Sequence, residues 1–161
     1  MAKLRHIAIS VSDPWATADF YIKAFGMKKV GEADTPHALG VYLSDGTINV
    51  ALLKYKTDVL AGPLGKDFVG LHHIGFWVDD VKDGARAVES AGAQHFAGEP
   101  SEHNTFYEVK YRDPVNGLIF DITAHGWAGA TKDGVSPKDE PKLSKDDLKA
   151  DRSFLKSGSG R

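Results

Sequence analysis

Two short segments of the chain alternate between apolar and polar positions. Every second residue from Ile7 to Val11 is aliphatic, and His6 lies in the opposite phase. The segment from Ile74 to Val78 repeats this alternation, with His73 in the opposite phase. A period of two is typical of a β-strand that packs one face against a core. The sequence therefore predicts two such strands, each with a histidine on the face opposite its apolar residues.

A helix is predicted after each of these strands. The first spans Pro14–Phe25, where apolar residues recur at spacings of three and four. Asp13 is a typical N-cap residue, and Gly26 is a typical residue to end a helix. The second helix is predicted over Val81–Ala91, again between an aspartate and a glycine. Both halves of the chain therefore begin with a strand and a helix.

The two halves repeat at an almost constant offset, since His6 and His73 are 67 residues apart and so are Asp13 and Asp80. Self-similarity of this kind takes precedence in assigning a fold. Three further short strands are predicted in each half, near residues 28–32, 39–43 and 48–53, and near residues 94–96, 106–111 and 118–123. The expected fold class is α+β, with two βαβββ modules that form a curved mixed sheet around one cleft and carry their helices on its convex side.

These patterns predict one domain over residues 1–127, with modules at about 3–55 and 70–127. From Ala128 onward Lys, Asp, Gly, Pro and Ser dominate the sequence. A segment of this composition has little apolar surface to bury. Residues 128–161 are therefore predicted to form a polar C-terminal arm that contributes little to the core. Such an arm could wrap a partner in a homodimer or form a flexible tail.

The composition narrows the class of function. The chain has 161 residues, a formal net charge of −2 and no cysteine, which excludes disulfides, thiolate metal sites and cysteine nucleophiles. Lysines and aspartates are interleaved, without the basic stripe of a nucleic-acid-binding protein. No apolar run approaches the length of a membrane span, and no signal core follows the N-terminus. We expect a cytoplasmic protein whose partner is a small molecule, with no nucleic acid and no membrane.

Three residues in matching places of the repeat carry candidate chemistry. His6 and His73 occupy equivalent positions on the two first strands, and Asp121 lies opposite the apolar face of the last predicted strand. A carboxylate in such a strand is costly to bury unless it is paired or bound to a metal. Two imidazoles and one carboxylate match the ligand set of non-haem Fe(II) sites and also suit Mn(II) or Zn(II). Alternatively, Asp121 could pair with a lysine or arginine, and either histidine could be structural.

Several motifs resemble the vicinal oxygen chelate superfamily, which includes glyoxalase I, bleomycin-resistance proteins and extradiol dioxygenases. The segments that carry the resemblance are Leu4–Val11, Asp19–Met27, His72–Val78 and Asp113–Asp121. The resemblance covers about residues 3–127. It implies that metal ligands come from the first and last strands of each module, and His6, His73 and Asp121 fall on three of these four places.

The fourth place departs from the glyoxalase I pattern, which has a glutamate there. Here Asn49 or Ala51 holds the equivalent position, and neither is a carboxylate. Glyoxalase I activity is therefore not expected. The segment from His103 to Tyr107 is similar to a His-Thr-Asn segment of the extradiol enzymes, with a different order and spacing. We interpret His103 and Tyr107 as candidate acid–base residues.

Two residues on the cleft side of the predicted strands are candidates for the substrate pocket. Asn49 is one, and Trp77 is the other, as a stacking wall for an aromatic ligand. The favoured hypothesis is a metal-dependent enzyme that acts on a small molecule with vicinal oxygens. Extradiol-type dioxygenase chemistry is favoured within it, with lyase or isomerase chemistry on the same scaffold as an alternative. One divalent ion, Fe(II), Mn(II) or Zn(II), is the expected cofactor. The alternative is a metal-free drug-binding protein of the bleomycin-resistance type.

Overall fold

The computed structural model describes residues 1–98 and 108–132 of the chain. The strands in these ranges are β1 (Lys3–Ser10), β2 (Lys28–Asp34), β3 (Ala38–Ser44), β4 (Asn49–Tyr55), β5 (Gly70–Trp77), β6 (Gln94–Ala97), β7 (Val109–Arg112) and β8 (Ile119–Thr123). The helices are α1 (Pro14–Phe25), α2 (Asp58–Ala61) and α3 (Val81–Ser90), with a 3-10 turn over Gly62–Leu64. Every predicted strand and helix is present, whereas α2 and the 3-10 turn had no signal in the hydrophobic pattern.

All eight strands join one curved mixed sheet in the order β2-β3-β4-β1-β5-β8-β7-β6. Within each module the first strand pairs in parallel with the last, as β1 with β4 and β5 with β8. The two modules meet where β1 and β5 pair in antiparallel orientation at the centre of the sheet. The predicted α+β fold of two βαβββ modules is therefore confirmed.

Local signals at the helix ends act as predicted. The Asp13 carboxylate accepts hydrogen bonds from the amides of Trp15 and Ala16 at 2.9 and 3.0 Å, and therefore caps α1. Gly26 ends this helix with φ of 70°, a left-handed conformation that favours glycine. Asp80 caps α3 in the same way, by accepting from the amide of Asp83 at 2.8 Å.

Each module has its own apolar cluster between its helix and the sheet. The first cluster joins Ala18 of α1 to Val41, Leu43 and Leu52, and the second joins Val81 and Ala85 of α3 to strands β7 and β8. Since side chains alternate along a strand, residues between these core positions point to the other face of the sheet. This second face carries His6, His73 and Asp121.

The packed domain extends past the predicted boundary at Ala128. Ala130 and Thr131 are buried, and Ser44 donates a hydrogen bond to the carbonyl of Gly129 at 2.6 Å. The prediction that the chain contributes little to the core after Ala128 is therefore wrong for residues 128–132, because these residues run back across the first module. Residues 133–161, which make up the rest of the predicted arm, lie outside the described ranges.

No helix within the described ranges is long and apolar enough to cross a membrane.

Candidate metal centre

His6, His73 and Asp121 meet at the centre of the sheet. The Nε2 atoms of His6 and His73 are 3.3 Å apart, and Nε2 of His73 lies 3.2 Å from Oδ2 of Asp121. One ligand atom from each residue can be chosen so that all three lie within 4.8 Å of one another. All three side chains are buried, and Asp121 has 0% exposure. The structure therefore brings together the three residues that the repeat singled out, and their role as metal ligands stays a prediction.

Gly75 makes room for this cluster. It lies opposite His6 across the β1–β5 pair and beside Asp121 across the β5–β8 pair. A Cβ atom at this position would lie 2.5 Å from Oδ1 of Asp121, 2.7 Å from the ring of Trp127 and 2.8 Å from Cβ of His6. No side chain fits there, so a glycine on β5, between His6 of β1 and Asp121 of β8, allows the three groups to converge.

The orientation of His6 is set by Asn49. Oδ1 of Asn49 lies 3.1 Å from Nδ1 of His6, and Nδ2 of Asn49 donates to the carbonyl of Ala128 at 2.8 Å. Because the Ala128 carbonyl can only accept, it fixes which end of the Asn49 amide faces His6. In the neutral imidazole of His6, Nδ1 then carries the proton and donates it to Asn49, and Nε2 carries the lone pair. Asn49, predicted for the substrate pocket, therefore lies behind His6 as its hydrogen-bond partner.

A β-bulge places a further histidine, His72, behind His73. The register between β1 and β5 shifts so that Ala8 pairs with His73 and Ile9 pairs with Leu71, which leaves His72 as the extra residue. Nδ1 of His72 lies 2.7 Å from Nδ1 of His73, and Nε2 of His72 lies 3.0 Å from the carbonyl of Ala61. His72 must donate from Nε2 to that carbonyl, so its Nδ1 accepts the proton of His73. Nε2 of His73 therefore also carries a lone pair.

The hydrogen-bond network thus points two imidazole lone pairs at each other across 3.3 Å, with no proton between them. In addition, Oδ1 of Asp121 is buried and has no hydrogen-bond partner. Neutral imidazole nitrogens and a carboxylate are a donor set that divalent Fe, Mn and Zn accept. The residues present therefore fit a metal ion. The structure holds a His-His-Asp group that could bind one.

A lysine on β7 contacts the same group. Nζ of Lys110 lies 2.7 Å from Oδ2 of Asp121, 2.8 Å from Oε2 of Glu108 and 3.4 Å from Nε2 of His73. The alternative considered from the sequence, that Asp121 pairs with a lysine, therefore describes an actual contact. Lys110 and Glu108 are largely buried, with side-chain exposures of 13% and 21%.

The environment shifts several pKa values around the cluster. Burial, and to a smaller extent the Lys110 ammonium, holds the pKa of His73 well below its usual range, so this imidazole is neutral. Burial also lowers the pKa of His72 and raises the pKa of Tyr55 to about 12. Burial alone would lower the pKa of Lys110, but the carboxylates of Asp121 and Glu108 outweigh it and raise that pKa, so Lys110 is an ammonium group.

Trp127 covers the first-module side of the cluster. Its indole stacks on the imidazole of His6 with the ring centroids 4.8 Å apart and the planes 7° from parallel. Its Nε1 donates to the carboxylate of Glu108. Trp77, predicted as a stacking wall, donates from its indole to the carbonyl of Ala124 at 2.9 Å and packs against Gly126. Trp77 therefore supports the turn that carries Trp127.

The register also identifies the fourth ligand place. Asp121 pairs with Gly75, and the corresponding pair of the first module is Ala51 with Ala8. Ala51 is therefore the counterpart of Asp121, and it offers no ligand atom. The site has three protein ligands at most among the four equivalent positions.

His103 and Tyr107, the candidate acid–base residues, lie outside the described ranges. The side chains of the site that were not predicted from the sequence include Lys110, Glu108, His72 and Trp127. The turn over residues 113–117 could have revealed Lys110, because counting back from it places Lys110 opposite Asp121. His72 had no such signal, since it faces the site only through the bulge.

A pocket of about 430 Å³ lies beside the histidines at the ends of β5 and β8. Its lining residues are Leu71, His72, His73, Ile74, Phe76, Asp113, Asn116, Leu118, Ile119 and Phe120. Phe76 and Phe120 alternate with Gly75 and Asp121 along their strands and pack against the second apolar cluster. The pocket therefore lies largely on the helix side of the sheet, behind the histidines.

Comparisons with known proteins agree with this fold. A hypothetical protein from Bacillus halodurans C-125 superposes with a TM-score of 0.62 at 20% identity, over 84% of this chain and 98% of that one. A methylmalonyl-CoA epimerase variant from Streptomyces coelicolor, in complex with 2-nitronate-propionyl-CoA, gives 0.62 at 20% identity, over 74% and 94%. A methylmalonyl-CoA epimerase in complex with methylmalonyl-CoA and NH4+ gives 0.63 at 19% identity, over 76% and 93%.

No protein of curated function matches the chain. Its sequence does match a family described as the Glyoxalase/Bleomycin resistance protein/Dioxygenase superfamily over residues 3–122, which is most of its length. This match agrees with the fold of two βαβββ modules. The chain therefore belongs to the glyoxalase/bleomycin resistance/dioxygenase superfamily.

Proposed function

We propose that this protein is a divalent-metal-dependent enzyme acting on a small molecule with two neighbouring oxygen atoms. The observation that carries the proposal is the 3.3 Å separation of the Nε2 atoms of His6 and His73, which are buried beside the carboxylate of Asp121. His6, His73 and Asp121 would hold the ion. When bound, the ion would act as a Lewis acid on a substrate oxygen that gains negative charge.

The residues around this group have distinct roles in the proposal. Asn49 and His72 keep the lone pairs of the two ligand histidines directed at the site through their hydrogen bonds at 3.1 and 2.7 Å. Trp127 shields His6 from water by stacking on it. Glu108 accepts hydrogen bonds from the indole of Trp127 and from the ammonium of Lys110, and so links these two side chains.

Two reaction types fit this description. Extradiol-type ring cleavage follows from the His-His-carboxylate set, although the ligand here is the shorter aspartate. Proton transfer next to a carbonyl, as expected of a lyase or isomerase, is supported by the epimerases among the similar structures. Both reactions place negative charge on an oxygen that the metal would bind.

The test is to strip the protein with a chelator and restore Fe(II), Mn(II) or Zn(II) one at a time. Oxygen uptake with a panel of catechols would reveal ring cleavage. Deuterium incorporation from D2O into a panel of 2-oxo acids and acyl-CoA thioesters would reveal proton transfer. We expect metal-dependent turnover in one of the two assays, absent from His73→Ala. Metal binding without turnover in either assay, or turnover that survives the chelator, would contradict the proposal.

A metal-free binding protein of the bleomycin-resistance type is the second candidate. Its specific support is Lys110, whose ammonium already neutralises Asp121 at 2.7 Å and lies 3.4 Å from His73. In this case the cluster would be a polar core of the cleft with no place for an ion. Tight binding of a drug-like aromatic compound by chelator-treated protein, unchanged on adding metal, would favour this candidate.

The predicted modules at about 3–55 and 70–127 remain part of the proposal. So does the possible homodimer. The polar arm predicted over residues 128–161 remains a proposal for the part that lies outside the described ranges.

A further inference from the structure

One cationic side chain lies inside the candidate metal centre. Lys110 projects from β7 directly opposite Asp121 of β8, on the face of the sheet that carries the histidines. We propose that Lys110 is a built-in competitor of the metal ion, whose ammonium occupies the carboxylate oxygen that the ion requires. The inference rests on the proposed function, because it assigns Lys110 a role toward the same site.

The competition concerns a single oxygen atom. Oδ2 of Asp121 lies 3.2 Å from Nε2 of His73, so it is the oxygen that faces the histidine lone pairs. The same Oδ2 accepts the hydrogen bond from Lys110 at 2.7 Å. The other oxygen, Oδ1, points at Gly75, where even a Cβ atom would come within 2.5 Å. An ion held by Nε2 of His73 and by Oδ2, the Asp121 oxygen nearest that nitrogen, must share this oxygen with the ammonium or displace it.

Sharing is unfavourable on electrostatic grounds. A divalent ion and an ammonium bound to one oxygen would lie only a few ångströms apart, and like charges in a largely buried site are poorly screened. Lys110 is also 3.4 Å from Nε2 of His73, so its positive charge faces the lone pair as well as the carboxylate. The ammonium therefore weakens two of the three ligands for an incoming ion.

Displacement is possible because Lys110 has a second anchor. Glu108 accepts from its Nζ at 2.8 Å, so the ammonium can release Asp121 and keep one carboxylate partner. The site then has two states: one in which Lys110 supplies the positive charge, and one in which the ion does. Lys110 consequently sets how tightly the chain binds a divalent ion.

The experiment is calorimetric titration of Zn2+ into chelator-treated protein, with the metal-induced rise in melting temperature as a second readout. The variants are Lys110→Met, which removes the charge, and Lys110→Gln, which keeps hydrogen-bond donors for Asp121 and Glu108 if the first variant folds poorly. Lys132→Met is the matched control, because Lys132 pairs with Asp79 and contacts the carbonyl of Val78 instead of any residue of the cluster.

We expect both Lys110 variants to bind Zn2+ at least about tenfold more tightly than the wild type, with Lys132→Met unchanged. If the wild type binds Zn2+ and the Lys110 variants bind it equally or more weakly, the inference is overturned while the proposed function stands. If only the Lys110 variants bind, the inference stands and the wild type is not a metalloenzyme. Absence of binding by every protein would overturn both.

Discussion

The two modules have the same fold, but they carry different residues at equivalent positions of the candidate metal centre. Both contribute a histidine from the first strand, yet the first module has Ala51 where the second has Asp121. On the neighbouring strand, Tyr42 lies opposite Ala51, whereas Lys110 lies opposite Asp121. The carboxylate and the ammonium therefore occur as a pair, and both belong to the second module.

The difference extends to the central strands. Ala8 is the counterpart of Gly75, and only the glycine lies beside a carboxylate. Burying Asp121 requires the space that Gly75 leaves and the positive charge that Lys110 supplies, because an unpaired buried carboxylate is costly. Asp121 is therefore accompanied by a glycine and a lysine at the two positions that pair with it. The first module has no carboxylate at Ala51 and carries other residues at the equivalent positions.

Replacing each histidine in turn tests whether the two modules contribute equally to Zn2+ binding, and these substitutions should have the strongest effect. His6→Ala and His73→Ala should each weaken Zn2+ binding by more than about 100-fold, the upper end of what loss of a residue behind a ligand costs. The two losses should be similar because the positions are equivalent. Calorimetry on chelator-treated proteins measures this. A loss confined to His73→Ala would show that the second module binds the ion without the first.

Two substitutions of Asp121 test its role as the third ligand. Asp121→Ala should abolish Zn2+ binding, whereas Asp121→Glu should retain it, because the resemblance to the superfamily places glutamate at this position. Binding that survives Asp121→Ala would remove the carboxylate from the ligand set.

The next effect concerns the hydrogen-bond partners of the two ligand histidines. His72 contacts Nδ1 of His73, whereas Asn49 contacts Nδ1 of His6. His72→Phe removes the acceptor for the Nδ1 proton of His73 and keeps an aromatic ring of similar size. We expect Zn2+ affinity to fall roughly 10–100-fold. Tyr55→Phe is the control, since the Tyr55 hydroxyl is 3.4 Å from His72 and should matter little. Equal effects of the two substitutions would contradict the assigned hydrogen-bond chain.

Gly75→Ala tests the space around Asp121. The added Cβ would meet Asp121, Trp127 and His6 at 2.5–2.8 Å. We expect the free energy of unfolding to fall by about 1–3 kcal/mol, as is usual for overpacking. The reciprocal Ala8→Gly should cost only about 0.5–1 kcal/mol, the ordinary penalty for a glycine in a strand. Urea denaturation of both variants measures the difference, and comparable losses would mean that Gly75 is not specially required.

The stability of the metal-free protein should also depend on pH. The pKa values of His72 and His73 are lowered in the folded protein, mainly by burial. The unfolded chain therefore takes up protons first as the pH falls below about 6.5, the ordinary histidine value, and the folded state loses stability. Each histidine can contribute at most about 1.4 kcal/mol per pH unit.

Urea denaturation of metal-free protein at pH 7.5 and 5.5 checks this, with His73→Gln as the variant that lacks one of the two groups. The variant should show a smaller loss of stability between the two pH values. An identical loss in both proteins would exclude His73 as a contributor.

The repeat explains why the architecture and the central cluster could be predicted from the sequence. A fixed offset between two strand–helix pairs specifies the fold, and strand parity places His6, His73 and Asp121 on one face. These features depend on local periodicity, which the sequence expresses directly. Trp127 and residues 128–132 could not be placed in this way, because their packing depends on contacts with the first module. The position of Trp77 under a turn was equally inaccessible.

Lys110 and His72 mark a different limit. The hairpin register that places Lys110 opposite Asp121 can be counted from the turn. The contacts of its ammonium with Glu108 and His73 depend on the folded structure and cannot be counted in this way. His72 is adjacent to His73, and strict alternation would place it on the opposite face. A bulge overrides alternation, and the hydrophobic pattern carries no sign of it.

A crystal structure of the zinc-loaded protein, with anomalous diffraction data at the zinc edge, would locate the ion itself. We expect one anomalous peak, bonded to Nε2 of His6, Nε2 of His73 and a carboxylate oxygen of Asp121 at about 2.0–2.2 Å. We also expect Nζ of Lys110 to have left Asp121 and to keep its contact with Glu108. A structure without a peak at this position, with Lys110 still bound to Asp121, would contradict the account.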